Sequence, residues 1–259
     1  GYNVIIAQSR ESYSRELLNL QYLTSRSIDG LIVSVSAETK DFSYFRELHE
    51  KGMPIVFFDR IVDEIKTHKV IVDNYKGAYD ATAHLIRNGY KNIATLSNAA
   101  VLSIAKERLA GYKAALTDNG FEVNESMIRY CNHGGMLLEE LEQAMDELLS
   151  LPTRPDAIVA AADKLTTGCL RVLKAKGLAV PGDMALVGFS NTDLTELLDP
   201  PLSIIRQPAF EMGEIATQFL LQLIESKRPV TDFETKVLTT ELLIRDSTKR
   251  TRTKAKEIA

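Results

Sequence analysis

The chain has 259 residues, of which 45% are hydrophobic and 25% charged, the composition of an ordinary globular protein. That length suits two medium-sized lobes better than one core. A net charge of −4 gives no general electrostatic footprint for nucleic acid, and no apolar run approaches the roughly 20 residues of a membrane span. Cys131 and Cys169 stand in no metal or redox spacing; a disulfide between them stays open, but a reducing interior, hence a cytoplasmic location, fits better.

Taken in order, the elements begin with a strand at 3–7 and a helix from Glu11 to about Ser25. The segment Gly1-Tyr2-Asn3-Val4-Ile5-Ile6 repeats the junction Gly89-Tyr90-Lys91-Asn92-Ile93-Ala94. In the second copy the glycine follows a helix, so a strand and helix of the first lobe are expected upstream of Gly1. Strands follow at 30–35, 54–58 and 69–72, with a helix between Phe42 and Lys51 and another from Lys76 to Asn88. The strand at 92–96 opens the second lobe, and a helix begins near Lys106. Strands at 156–161 and 184–189 alternate with helical stripes such as Leu138/Leu141/Met145/Leu148 and Leu165/Gly168/Cys169/Val172. After Pro200-Pro201 come an extended run, 202–206, and a helix through Phe210, Gly213, Thr217, Leu220 and Ile224. One last strand is expected over 237–245, then a solvated tail from Thr248 carrying five Lys or Arg against one Glu.

Alternating strands and helices mean α/β architecture, with parallel sheets wound on both sides by helices. Helices should end at Gly52, Gly89, Gly120 and Gly177, where a left-handed residue is wanted. The expected division is 1–90 with 209–236 as one lobe, 91–208 with 237–248 as the other, and 249–259 as tail. The chain would cross between lobes several times, forming a hinge and a cleft, with strand carboxyl ends facing that cleft.

Several side chains at those ends could hold a ligand. Asp59 can accept hydrogen bonds from two adjacent hydroxyls, and Arg60 presents a planar fork; the alternative is a surface ion pair or a helix N-cap. Arg108 opens a helix whose dipole opposes it, so a partner should hold it there. Gln207 can donate and accept at once, or brace the hinge. Asp163 reads as an N-cap of the helix from Lys164 or as a ligand contact. Ser190 and Asn191 place small polar groups past the strand at 184–189, and His133 sits in a glycine-flanked loop. The histidines show no metal spacing, and neither GxGxxG nor GxxxxGK[ST] occurs. Ser190 lacks the second glycine of a nucleophile elbow. Nothing asks for catalysis, a metal or a cofactor.

The segments IDGLIVS, GMPIVFFDR, KVIVDNYKGAYDATAHLIRNGYKNIATL, RLAGYKAAL, PDAIVAAADKLTTG, VPGDMALVGFSN, PPLSIIRQP and LLIRDST stand in this order. Together they resemble the effector-binding core of the lactose-repressor/galactose-repressor (LacI/GalR) family, across nearly the whole chain. The resemblance implies a periplasmic-binding-protein-like type I fold of two lobes and a small sugar, polyol or sugar derivative as effector. It further implies a homodimer, and operator DNA contacted only through a helix-turn-helix upstream of Gly1. It implies ligand contacts for Asp59, Arg60, Arg108 and Gln207, and an aromatic place for His133. Ala162 stands where many members have Asn, and Ser190 where they often have a ligand-binding Asp, so two usual sugar contacts differ here. The competing expectation is a transport-type or sensor sugar-binding protein of the same fold. Arg108→Ala is expected to abolish ligand binding and leave the melting point nearly unchanged.

Overall fold

A computed structural model of the chain describes residues 1–250. The chain divides into two compact units. The first is built from Gly1–Asp73, Leu102–Ile104 and Pro208–Thr239; the second from Asn74–Val101, Ala105–Gln207 and Thr240 onward.

The first unit carries a four-stranded, all-parallel sheet in the order β1-β2-β3-β9, made of β1 (Leu31–Val33), β2 (Ile55–Phe58), β3 (Lys69–Val72) and β9 (Thr235–Leu238). A central parallel strand is apolar on both sides because helices cover both faces. Here Phe57 and Ile55 pack toward α1 (Tyr13–Thr24) and α2 (Ser43–Glu50) with Leu20, Phe45 and Leu48. Val56, Val70 and Val72 pack the other way, on Met212 and Ala216 of α7 (Ala209–Glu225).

The second unit holds six strands in the order β10-β8-β7-β6-β4-β5. They are β4 (Ile93–Ser97), β5 (Ile128–Tyr130), β6 (Ala157–Ala160), β7 (Ala185–Phe189), β8 (Ser203–Arg206) and β10 (Glu241–Leu243), the last pairing antiparallel to β8. One face, with Leu96, Ile158 and Leu186, meets α5 (Leu138–Leu149) and α6 (Asp163–Ala175). The other, with Ile93, Val159 and Val187, meets α3 (Asn74–Arg87) and α4 (Ser103–Asp118).

Several details differ from the reading of the sequence. Residues 3–7 are exposed and form no strand, because among the described residues no neighbour pairs with them; apolarity alone does not make a strand. The run at 237–245 is two strands, β9 and β10, in two different sheets. The first boundary falls after Asp73 rather than residue 90, because Ala78, Ala81 and Leu85 of α3 join the second unit's core. Residues 237–239 belong to the first unit, since β9 pairs with β3.

The expected tail starts too early. Ser247 and Thr248 are fully buried: Ser247 Oγ accepts from Ser203 N–H at 2.8 Å and donates to Leu186 O at 2.6 Å. Arg250 lies over the Tyr90 ring and donates to Gly89 O. The rest of that tail lies outside the described residues. Gly52, Gly89, Gly120 and Gly177 all take positive φ where the sequence asks for it.

Candidate functional site

Five strands of the second sheet, β4 to β8, run parallel, so whatever follows each of them collects on one edge. Backbone bonds stitch that edge together: Ala161 N–H reaches Leu96 O, Cys131 N–H reaches Ser97 O, and Ser190 N–H reaches Ile205 O. Asn98, the 131–135 loop, Ala161–Asp163, Ser190, Asn191 and Gln207 are thereby neighbours in one layer.

Arg108 is the anchored cation of this edge. Its side chain is only 5% exposed. Nε donates to Asn74 Oδ1 at 2.8 Å and Nη1 to Ala161 O at 2.6 Å. The guanidinium carbon stands 3.7 Å from the centroid of the Phe189 ring, on which it stacks. Asn74 is itself buried and donates from Nδ2 to Glu107 Oε2 at 2.9 Å. The helix expected from about Lys106 begins at Ser103, so Arg108 stands in the second turn of α4, beyond the first turn to which the dipole argument applies, and it is this set of contacts that holds it. The same set contradicts the expectation that Arg108→Ala leaves the melting point unchanged, because buried acceptors would lose their donor.

The other second-unit candidates sort as follows. Asp163 is the first helical residue of α6 and not its N-cap; Ala162 occupies the cap, with no side-chain bond. Asp163 Oδ1 instead accepts from the Ser190 hydroxyl, so the two residues act as one polar group. Asn191 is exposed, and its Oδ1 accepts from Gln207 N–H at 2.9 Å. His133 is half exposed, and its ring Nδ1 lies 3.4 Å from Glu140 Oε2. That carboxylate also takes the Asn132 and His133 backbone N–H groups.

In the first unit Asp59 and Arg60 follow β2. Asp59 has φ +56, and its N–H donates to Val70 O. Arg60 makes a bidentate pair with Glu11, at 2.5 and 3.0 Å, and reaches Val35 O at 3.4 Å. Burial pushes the Glu11 carboxyl up, yet the hydrogen bond and charge of Arg60 and the Ala37 N–H outweigh it and hold it below its usual value. Glu16 goes the other way: burial raises it, against opposing hydrogen bonds from Thr39 and Ser36.

Reading the sequence missed Asn74, Phe189, Asn98 and Glu11. A phenylalanine in a buried strand carries no sign that its ring supports a guanidinium. Asn98 is only 3% exposed, and its Oδ1 has no hydrogen-bond partner among the described residues; the Ser97 hydroxyl, at the end of β4, is equally sealed and unpartnered. Two cavities of about 620 and 690 Å³ lie elsewhere, in the first unit around Met53 and Pro54, and neither touches a candidate residue.

The chemistry on offer is recognition. Burial, with a smaller push from Glu140, raises the Cys131 thiol to about 12, so it is no thiolate nucleophile at neutral pH. Among the described residues no cluster of three His, Cys, Asp or Glu could hold a metal, and no helix is long and apolar enough to cross a membrane.

A family model described as a periplasmic binding protein-like domain matches residues 82–248. The chain is 31% identical over 249 residues to the HTH-type transcriptional repressor CytR of Escherichia coli (strain K12), covering 96% of this chain and 71% of that protein. Its fold is similar to the transcription regulator CcpA of Lactococcus lactis (TM-score 0.84, 26% identity, 96% of this chain and 88% of that one). It is similar also to the transcriptional regulator CelR in its cellobiose complex (TM-score 0.77, 32% identity, 91% and 71%). The relatives are transcriptional repressors rather than enzymes. The chain belongs to the LacI/GalR family of transcriptional regulators and carries its effector-binding core.

Proposed function

We propose that this core binds a small sugar, polyol or sugar derivative and passes the binding signal to an operator-binding segment. The observation that carries the reading is the anchored Arg108, stacked on Phe189 and set among Asn98, Asp163, Ser190, Asn191 and Gln207 on one sheet edge. A preset guanidinium beside small polar groups suits hydroxyl recognition, with orientation fixed before the ligand arrives. The cellobiose bound to the similar regulator CelR supports a sugar-like effector.

Asp59 and Arg60 form a second polar set, on the first unit, with the Arg60 fork held by Glu11. A ligand-linked conformational change is what is transmitted, with effector–operator coupling of about 1–3 kcal/mol. The regulator works in the cytoplasm as a homodimer, whose two-fold symmetry matches a palindromic operator. That the similar proteins are repressors favours this over a transport-type binder.

The test is a thermal-shift screen against D-ribose, D-glucose, cellobiose, D-glucuronate and D-ribose 5-phosphate. A saturable rise in melting temperature with a neutral sugar, and no turnover of it, is expected. Turnover, or a response to none of the five, contradicts the reading.

A further inference from the structure

Asn98 follows β4 directly, on the sheet edge that carries Arg108, Asp163 and Ser190. Its side chain is 97% removed from solvent, yet Oδ1 accepts no hydrogen bond from any described residue. Leaving a carbonyl in this state is costly, because the group loses water and gains nothing. The loop after β5 closes over it: a Cβ built on Gly134 would lie 3.5 Å from Asn98 Oδ1. That loop is held in place by Cys131 N–H on Ser97 O and by Glu140, which takes the N–H groups of Asn132 and His133.

A buried acceptor without a donor, beside the equally unpartnered Ser97 hydroxyl and on an edge held by backbone hydrogen bonds, is what a preorganised contact looks like before its partner arrives. We infer that Asn98 is an effector-contacting residue, and that the effector presents a hydrogen-bond donor, a hydroxyl or an uncharged N–H, to its Oδ1. This rests on the reading of the chain as a sugar-binding core and narrows it. A carboxylate or phosphate oxygen at this point would set lone pairs against lone pairs and be rejected. At this point of the effector a hydroxyl or N–H is therefore preferred to an anionic oxygen.

The test uses two variants of the whole chain, with the neutral sugar that most raises the wild-type melting temperature. Asn98→Leu removes the carbonyl and fills its space with carbon. Without ligand it should melt a few degrees higher, by about 2–6 °C, because an unpaired polar group is gone. Its affinity for the sugar should fall roughly tenfold or more. Asn98→Asp keeps the acceptor and should bind within about threefold of wild type.

A lower melting temperature for the ligand-free Asn98→Leu protein would make Asn98 a structural residue and overturn the inference. So would unchanged affinity in that variant, or loss of affinity in Asn98→Asp equal to that in Asn98→Leu. A wild type that answers to no sugar fails the sugar-binding reading itself, a result distinct from any of these.

Discussion

The Arg108 guanidinium rests 3.7 Å above the centre of the Phe189 ring. One residue comes from α4 and the other from the last position of β7, so the pair ties a helix to the sheet at the point where the polar edge begins. With Asn74 and Ala161 as its acceptors, Arg108, the cation proposed to meet the ligand, is also part of the second unit's stability.

Replacing Arg108 therefore has two effects. Arg108→Met leaves Asn74 Oδ1 and the Ala161 carbonyl without this donor, costing about 2–4 kcal/mol. Calorimetry should show a melting temperature lower by roughly 5–12 °C, together with loss of the sugar-induced shift. Phe189→Leu keeps the hydrogen bonds and removes the ring, so it should lose a smaller share of both.

Glu11 and Arg60 give the first unit an acid-sensitive contact. The Glu11 carboxyl sits below its ordinary 4.5, so its contribution is complete above that pH and disappears as pH falls through the lowered value. Melting curves of wild type and Glu11→Gln should differ at pH 7, with the variant lower, and converge as pH falls below 4.5 and through the lowered value. Glu16 has the opposite sign. Its raised value makes its contribution largest below 4.5 and smaller as pH rises, so Glu16→Gln should lose most relative stability on the acid side.

Gly111 lies one helical turn beyond Arg108, where α4 crosses the start of α3. A Cβ there would stand 2.1 Å from Tyr75 O, a backbone atom that cannot step aside. Gly111→Ala should cost about 3 kcal/mol or more. It should also disturb Asn74, next to Tyr75, so ligand affinity falls along with the melting temperature.

Ser247 shows the reach of the chain's last described segment. Its hydroxyl links the start of β8 to Leu186 inside β7. Ser247→Ala strands a buried N–H and a buried carbonyl, and should lower stability by about 1–3 kcal/mol. Sugar affinity, read by calorimetric titration below the melting range, should stay as in wild type.

Much of the second unit was legible because buried parallel strands announce themselves: 156–161 and 184–189 are apolar runs bounded by turn residues, and β6 and β7 lie inside them. The glycines at 52, 89, 120 and 177 end elements for a local reason, so they were readable locally. Residues 3–7 were not, since a strand exists through its neighbour and none pairs there. Nor was the split of 237–245, because β9 and β10 answer to partners, β3 and β8, far away in sequence. In the site, Arg108 was singled out as a charge at a helix start, but α4 begins five residues earlier, at Ser103, and the contacts that hold Arg108 come from residues far away in sequence. Asn98 and Phe189 did not, because an amide in a loop and a ring in a strand look the same whether or not they serve a ligand.

The most direct measurement is backbone hydrogen exchange with and without the neutral sugar selected by the screen. Slowed exchange is expected at residues 59–60, 98–108, 131–135, 161–163 and 189–191. Protection confined to the first-unit cavities around Met53 and Pro54, with the second sheet's polar edge unchanged, would contradict the account.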